Sequence, residues 1–413
     1  MTVSAGPDLA ALRQRIRDAI AGERSHIVEV AETIRVNPEL GYQEYQASQL
    51  LADQLKEAGF EVEKPYKQLD TAFRAVRRGG RGDGPTVAVL AEYDALAGIG
   101  HGCGHNMIGA SALAAAIGLG EVLEEIGGTL IIMGTPAEEG GAGKVRLAER
   151  GAFDGVDAAM MVHHAGDLSG GPTGWPGGTC LAVVNIAFEW FGAPAHAAMD
   201  PFNGVNALNA AIETFNGINA LRQHLTMDAR IHGIITHGGE AANVVPPYAR
   251  AEFLVRGAAM AYVEEVTEKV RNIARGAALM TGCEVKIHEG TMHADMRPSY
   301  VLGERYHANM AEVGMDLSNQ REGRGMHSTD FGHISYMLPS VTGSFAISPT
   351  PIPGHSQQVV DASGSEFGYD NMMKVATAMA LTAFDVLTDE RLKDDAWAAH
   401  HEWEQRYAGK GGA

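Results

Sequence analysis

Residues 86–106 read TVAVLAEYDALAGIGHGCGHN, an apolar run followed at once by acidic residues, glycines, a cysteine and histidines. The run from Thr86 to Leu90 predicts a buried strand. The polar residues come directly after it, where open α/β sheets usually build their ligand sites. A thiolate and an imidazole two residues apart, at Cys103 and His105, suit a zinc-like ion. The alternative for this segment is a reduced core cysteine beside helix-capping residues.

Strands and helices alternate on both sides of this segment. Two further β-rich runs lie at about 129–133 and 158–162. The predicted helices run up to about Val36 and over about 44–58, 108–126 and 142–150. This order predicts an α/β fold, with a mixed sheet flanked by helices.

A glycine- and proline-rich run at 170–178 marks the start of a different domain. The elements that follow have the order β-α-β-β-α-β, the split βαβ arrangement of a ferredoxin-like sandwich. They are predicted at about 181–191, 205–223, 231–236, 249–255, 262–280 and 284–288. The α/β pattern resumes with a helix near Glu304. We therefore predict a discontinuous α/β domain over 1–180 and 295–413, and an inserted α+β domain over 181–294.

Three more polar clusters follow predicted strands or lie in loops. Glu138 and Glu139 are adjacent, and since neighbouring side chains of extended backbone point in opposite directions, one carboxylate could bind a metal while the other acts as a base. A solvated acidic loop is the alternative. His163 and His164 end a strand, where a lone histidine is usually structural but a pair less often so. His355 lies in a proline-rich loop, which could equally be a simple turn.

Composition narrows the class of partner. The formal net charge of −19 argues against nucleic acid and against an anionic membrane surface, so a small molecule is the better partner. The three cysteines lie far apart and cannot form a secreted disulfide framework. The chain has neither a run of about twenty apolar residues nor an N-terminal apolar core behind a basic start. We therefore expect a cytoplasmic protein.

The order of these clusters resembles the clan MH metallopeptidases, in the branch of aminoacylases, hippurate hydrolases, auxin-conjugate hydrolases and aminobenzoyl-glutamate hydrolases. The segment EYDALAGIGHGCGHN resembles the Asp-Ala-Leu and His-x-Cys-Gly-His motifs of that branch, and PAEEGGAG its Pro-x-Glu-Glu-Gly motif. FGAPAHAAMDPFNGVNAL resembles its lid histidine motif, HGIITHGGEAANVVP and AEFLVRG its lid strand pair, and GMHSTDFGHIS with PIPGH its closing segments. The resemblance covers nearly the whole chain. It implies a metal-dependent hydrolase of C–N amide bonds whose inserted domain is a lid and dimerisation domain.

The resemblance also implies a set of metal ligands. They would hold one or two divalent ions, zinc or manganese, and they are Cys103, His105, Glu139, His163 and His355. His163 is preferred to His164 because the ligand of the family follows its metal-binding glutamate by one helix and one strand.

Other residues take catalytic and binding roles by the same resemblance. Glu138 becomes the general base, and Asp94 the supporting carboxylate that orients a ligand. His196, offered by the lid of a partner subunit, would stabilise the oxyanion. Asn243 and Arg256 would hold a substrate carboxylate.

Substrate identity is the least constrained part of the prediction. His327 and Arg297, in segments near the expected cleft, are further candidates for contacting an acidic group. Asn106, where many relatives carry Asp, points to the aminobenzoyl-glutamate and dipeptidase side of the branch. We expect a homodimer that acts on a small carboxylate-bearing amide: an N-acyl amino acid, aminobenzoyl-glutamate or a dipeptide. The alternatives are hydrolytic deamination of an activated aminobenzoate, and a catalytically silent ligand-binding protein.

Overall fold

The computed structural model describes residues 8–166, 168, 170–173, 179–320, 325 and 327–407. These residues form two compact units. The larger comprises the described parts of Met1–Thr179, Met296–Gly325 and His333–Arg406, and the smaller comprises Cys180–Asp295, the described part of Met326–Gly332 and Tyr407. Within the same ranges, no helix combines the length and apolar character that a membrane crossing requires.

The strands and helices are numbered here in chain order. The strands are Glu61–Glu63 (β1), Phe73–Arg78 (β2), Thr86–Ala91 (β3), Thr129–Gly134 (β4), Ala158–Ala165 (β5), Gly171–Pro172 (β6), Ala182–Phe191 (β7), Arg230–His237 (β8), Tyr248–Gly257 (β9), Glu284–Glu289 (β10) and Ser340–Ala346 (β11). The helices are Leu9–Gly22 (α1), Arg24–Val36 (α2), Tyr45–Glu57 (α3), His105–Gly120 (α4), Gly143–Glu149 (α5), Ala207–Leu221 (α6), Met260–Thr281 (α7), Tyr300–Glu312 (α8), Phe331–Met337 (α9), Gln357–Ala362 (α10), Glu366–Thr388 (α11) and Glu390–Tyr407 (α12).

The larger unit is built on a mixed sheet in the order β1-β2-β4-β3-β5-β11-β6. The central strands β4, β3, β5 and β11 run parallel, and β1, β2 and β6 add antiparallel margins. This confirms the predicted mixed sheet flanked by helices. Because the central strands are parallel, their carboxyl ends meet at one edge of the sheet. The polar segments after β3, β4 and β5 therefore converge.

Helix α4 is the centre of the helical layer. All its residues except Ile117 are buried, and it packs against α1, α2, α3 and α11. Its sequence is rich in alanine and glycine, so neighbouring helices can approach closely; a Cβ on Gly118 would lie 2.7 Å from side-chain atoms of Ile20. The burial of α4 fixes the position of its first residue, His105, which lies at the site edge of the sheet.

The smaller unit has the predicted β-α-β-β-α-β order. Its sheet is antiparallel throughout, in the order β10-β7-β9-β8, and helices α6 and α7 pack on each other and on the sheet. Strand β9 alternates buried and half-buried residues, as a sheet with one covered face requires. The ferredoxin-like prediction for this part of the chain is confirmed.

Several local predictions differ from the structure. The first predicted helix is two helices, α1 and α2, separated at Glu23. The helix predicted at 108–126 ends at Gly120, and a short 3₁₀ turn at Leu123–Glu125 follows. Strands β1 and β2 and helix α12 were not predicted. The glycine- and proline-rich run is not simply a linker, since Gly171–Pro172 pairs with β11; its residues 174–178 lie outside the described part of the chain.

Candidate metal centre

The parallel strands bring the predicted ligands together. Ligand atoms lie within 4.8 Å of one another in three overlapping groups, which are Cys103, His105 and His163; Cys103, Glu139 and His355; and His105, Glu138 and Glu139. All five predicted ligands and the predicted base are therefore in one cluster. A thiolate, three imidazoles and a carboxylate form a donor set that suits a zinc-like ion.

Asp94 connects two of these ligands. Its Oδ1 lies 2.9 Å from His105 Nδ1, and its Oδ2 accepts the backbone N–H of Glu139 at 2.9 Å. With Nδ1 engaged, His105 presents Nε2 to the cluster. His105 Nε2 and Glu139 Oε1 are buried and have no hydrogen-bond partner among the described residues, which fits a cation as their missing partner.

The charges of this pair are strongly coupled. Burial opposes ionisation of both groups, but each charge favours the other. The carboxylate of Asp94 raises the pKa of His105 well above its usual range, against the effect of burial. In return, His105 holds the pKa of Asp94 below its usual range, again against burial. The pair is an imidazolium and a carboxylate in the metal-free chain, and a cation at Nε2 would replace the proton there.

The two adjacent histidines at the end of β5 have different surroundings. His163 Nδ1 donates to the carbonyl of His164 at 2.8 Å, which leaves Nε2 facing Cys103 Sγ at 3.6 Å. His164 is buried with both ring nitrogens lacking a hydrogen bond, and burial lowers its pKa well below the usual value. The structure thus places His163, and not His164, in the cluster of candidate ligands.

Glu138 and Glu139 do not point in opposite directions, as the extended-backbone prediction required. The segment is turned: Gly140 N donates to Glu138 O at 2.8 Å, and Gly141 N donates to Ala137 O at 3.0 Å. Ala137 has a left-handed φ of 58°. Both carboxylates consequently reach the same cluster, with Glu138 only 8% exposed.

A buried ion pair lies next to the cluster and was missed by the sequence analysis. Lys144 Nζ is 2.6 Å from Glu92 Oε1, and both side chains are fully buried. Glu92 Oε2 is 3.5 Å from His105 Nε2. The available signal was weak: a lysine next to Gly143 at the start of a helix looks like a solvated residue.

The smaller unit holds the candidate lid residues. His196 and Asn243 are exposed and lie on paired segments, since His196 forms a bridge with Val244 and Ala197 N donates to Asn243 O at 3.0 Å. Arg256, in β9, donates from Nη1 to Ser328 Oγ at 2.9 Å. His327 is exposed, and its carbonyl accepts the Leu181 N–H at 2.9 Å.

Arg297 has partners within the larger unit. Its Nε donates to Tyr336 OH at 3.2 Å, and its guanidinium lies 5.5 Å from the ring centre of Tyr336 and 5.1 Å from that of Trp403. These aromatic contacts account for an arginine at this position without a substrate.

Comparison with known proteins agrees with this geometry. Residues 184–281 match the family model M20_dimer, described as a peptidase dimerisation domain. The chain is 34% identical to the Xaa-Arg dipeptidase of Mus musculus over 93% of this chain and 91% of that protein. The chain belongs to the M20 family of metallopeptidases. The predicted resemblance is thereby confirmed, and this M20 peptidase is a member of a family of metal-dependent amide-bond hydrolases.

Two further comparisons support the assignment. The chain is 29% identical to a p-aminobenzoyl-glutamate hydrolase of Escherichia coli K12, over 94% of each protein. In fold, this M20 peptidase is similar to a dinuclear metal-binding peptidase of the same family from Bacillus subtilis, with a TM-score of 0.60 and 20% identity over 88% of this chain and 99% of that one. The indication from Asn106 toward aminobenzoyl-glutamate hydrolases and dipeptidases agrees with these relatives.

The buried pair of Lys144 and Glu92 gives a first prediction. Lys144→Met leaves the buried Glu92 without its nearby cation, and we expect the free energy of unfolding of the metal-free protein to fall by about 3–5 kcal/mol. Urea unfolding followed by circular dichroism measures the change. Lys269→Met is the matched control, because Lys269 forms an exposed pair with Glu265, and we expect little change there. Equal effects of the two substitutions would contradict the analysis.

Metal binding gives a second prediction. Burial raises the pKa of Cys103 to about 12 in the metal-free chain, so at neutral pH a metal must displace the thiol proton. We expect zinc affinity to rise with pH, by about tenfold per pH unit for each proton released. Competition with a chromophoric chelator at pH 6, 7 and 8 measures this. An affinity independent of pH would show that the thiol is not a ligand, and Cys103→Ser serves as the reference for a site without it.

Proposed function

We propose that this protein is a dipeptidase that prefers dipeptides with a basic C-terminal residue. The observation that carries the proposal is the convergence of five metal-ligand side chains with the nearly buried Glu138, in a chain 34% identical to a dipeptidase across almost its full length. A catalytically silent binding protein would have no need for a carboxylate in the position of Glu138.

Cys103, His105, Glu139, His163 and His355 would hold one or two divalent ions, zinc or manganese. A divalent ion bound there would lower the pKa of a water molecule toward about 7 and polarise the scissile carbonyl. Asp94 orients His105 and the backbone of Glu139 for this role.

Glu138 would move the proton. Its carboxylate takes the proton of the attacking water and returns it to the leaving amine, as general base and then general acid. Glu138 is nearly buried and its carboxylate lies within 4.8 Å of the donor atoms of His105 and Glu139. It is therefore close enough to the candidate ligands to reach a water held among them.

His196 would stabilise the oxyanion of the other protomer. Its Nδ1 accepts the backbone N–H groups of Ala198 and Met199, at 3.2 and 3.1 Å. The neutral imidazole therefore carries its proton on Nε2, the nitrogen that remains available as a donor. An exposed, preoriented N–H donor is what oxyanion stabilisation requires.

Arg256 and Asn243 would bind the substrate carboxylate. Arg256 is half-buried, and among the described residues it forms no ion pair. Burial without a counter-ion lowers its pKa. A half-buried guanidinium of this kind gains a partner when a carboxylate binds, and its planar fork suits two parallel hydrogen bonds.

Charge separates the candidate substrates. The chain carries a formal net charge of −19, so its long-range field attracts cations and repels dianions. A dipeptide with a C-terminal arginine or lysine carries a positive side chain, whereas aminobenzoyl-glutamate is a dianion. The field therefore favours the basic dipeptide among the substrates of these relatives.

A substrate panel gives the third prediction. We expect the metal-loaded protein to hydrolyse Xaa-Arg and Xaa-Lys dipeptides with a higher kcat/KM than neutral dipeptides, N-acyl amino acids or aminobenzoyl-glutamate. Glu138→Gln should lower kcat by about 10²–10⁴-fold with metal content unchanged, because the proton acceptor is lost. Glu149→Gln, an exposed glutamate in α5, is the control and should retain activity.

Ionic strength tests the electrostatic part of this prediction. Rising salt should lower kcat/KM for the basic dipeptides and raise it for aminobenzoyl-glutamate, since screening removes attraction and repulsion alike. Preferential hydrolysis of aminobenzoyl-glutamate at low salt would overturn the proposed preference. Release of ammonia from an aminobenzoate without amide hydrolysis would overturn the reaction type.

We propose further that the protein is a homodimer joined through β8. This strand is at one edge of the smaller sheet, pairs only with β9 in the described chain, and exposes Ile234 by 65% and Ile235 by 40%. An edge strand with exposed apolar residues favours pairing with a second copy about a two-fold axis.

Light scattering with size-exclusion chromatography tests the dimer and gives the fourth prediction. Ile234→Lys should convert the dimer into a monomer, because two lysines would meet across the axis. Leu279→Lys is the control, since Leu279 is 86% exposed but lies on α7 in the helical layer. If Leu279→Lys breaks the dimer while Ile234→Lys does not, the helices and not the sheet edge form the interface.

A further inference from the structure

A carboxylate that the proposed mechanism does not use lies against the loop that carries Glu138. Glu44 is fully buried, and its Oε1 accepts the backbone N–H of Ala137 at 2.8 Å. Its Oε2 accepts the hydroxyl of Thr71 at 2.8 Å. Each oxygen of Glu44 therefore has a hydrogen-bond donor inside the protein.

Helix capping does not explain this side chain. Glu44 directly precedes α3, a position where polar side chains often cap a helix, but it makes no side-chain capping bond. The carboxylate of Glu39 takes that role and accepts the backbone N–H groups of Gln46 and Ala47. Glu44 is thus free to turn inward, and its contacts are with the loop and with Thr71.

The backbone that Glu44 holds is strained. Ala137 has a φ of 58°, a left-handed conformation that is unfavourable for a residue with a Cβ. The surroundings leave this Cβ little room, because a Cβ on Gly41 would lie only 2.9 Å from it. Tyr42 also donates from its hydroxyl to the carbonyl of Gly141, at the other end of the same loop. Contacts from residues 41–44 therefore maintain the turn at both of its ends.

The peptide units on both sides of Glu138 are each tied to a buried carboxylate. Ala137 N donates to Glu44, and Glu139 N donates to Asp94 Oδ2. Asp94 is also attached to the ligand His105, whereas the bonds of Glu44 go to Ala137 and Thr71. Loss of Glu44 would accordingly disturb the Glu138 side of the loop and leave the Asp94 anchor of Glu139 in place.

We propose that Glu44 is a positioning residue that keeps Ala137 in its left-handed conformation and thereby aims the carboxylate of Glu138. The inference rests on the proposed function, in which Glu138 moves the proton. A misplacement of about 1 Å at a reacting group can cost about 10²-fold in rate. Removing Glu44 should therefore lower kcat by about 10- to 100-fold, with less than about a threefold change in KM.

Matched substitutions separate positioning from stability. Glu44→Met removes both acceptors at similar volume and should lose kcat. Glu44→Gln should retain most of the kcat, because the amide oxygen still accepts from Ala137 while the amide nitrogen donates to the Thr71 hydroxyl. Glu39→Met removes the cap of α3 from the same segment, so it should lower the urea midpoint and leave kcat within about twofold.

Glycine at position 137 provides the decisive rescue. Glycine adopts the left-handed conformation without the Cβ penalty, so Ala137→Gly should restore most of the kcat lost in Glu44→Met. If Glu44→Met does not fold, the double variant is compared with Ala137→Gly alone, and kcat values within about threefold support the proposal. A double variant as impaired as Glu44→Met, or equal kcat losses in Glu39→Met and Glu44→Met, would overturn it.

Hydrogen exchange gives a readout that does not depend on activity. Mass spectrometry of the peptide that contains Ala137 should show its amide protected in the wild type and in Glu44→Gln, and exchanging at least about tenfold faster in Glu44→Met or, should that variant not fold, in the double variant. If the wild-type chain hydrolyses no substrate of the panel, the proposed function fails, and the exchange result still decides whether Glu44 holds the loop. Unchanged protection after loss of the acceptor would refute the role of Glu44.

Discussion

The site depends on one buried carboxylate. Asp94 contacts His105 through one oxygen and the backbone of Glu139 through the other, so it joins the segment after β3 to the segment after β4. Neither segment is regular structure, and parallel strands alone would bring them only to the same edge of the sheet. Because both oxygens of Asp94 are engaged in the interior, the orientation of two candidate ligands is set before any metal is bound. This arrangement reduces the reorganisation that metal binding would otherwise require.

The charges around this carboxylate are balanced inside the protein. Glu92, Asp94, Glu138 and Glu139 bring four carboxyl groups to one region, and Lys144 and His105 supply nearby positive charge. Buried charges of one sign are costly unless they are paired or coordinate a metal. The cluster therefore has a deficit of positive charge, which one or two divalent ions would offset. Lys144 answers for the part of the deficit that lies against Glu92.

Much of this organisation was predictable because the relevant signals are local. The hydrophobic runs and their periodicity gave the central strands and the β-α-β-β-α-β unit, and the residue types after the strands gave the candidate ligands. Strands β1 and β2 were missed because β1 is short and β2 carries three arginines. The burial of Glu44 and Lys144 could not be predicted, since it depends on partners from distant segments. The convergence of Glu138 and Glu139 depends on the backbone angle of Ala137, for which alanine gives no signal.

The interrupted sheet also has a consequence for biosynthesis. Strand β5 lies between β3 and β11, yet β11 follows the whole of the inserted unit in sequence. Strands β7 to β10 leave the ribosome together and can pair with one another at once, while β5 must wait for its second neighbour. Such non-local pairing is slow and exposes an unpaired strand edge in the meantime. A nascent chain that ends before Ser340 therefore carries a finished inner unit on an unfinished sheet, and that open edge is where a chaperone would be needed.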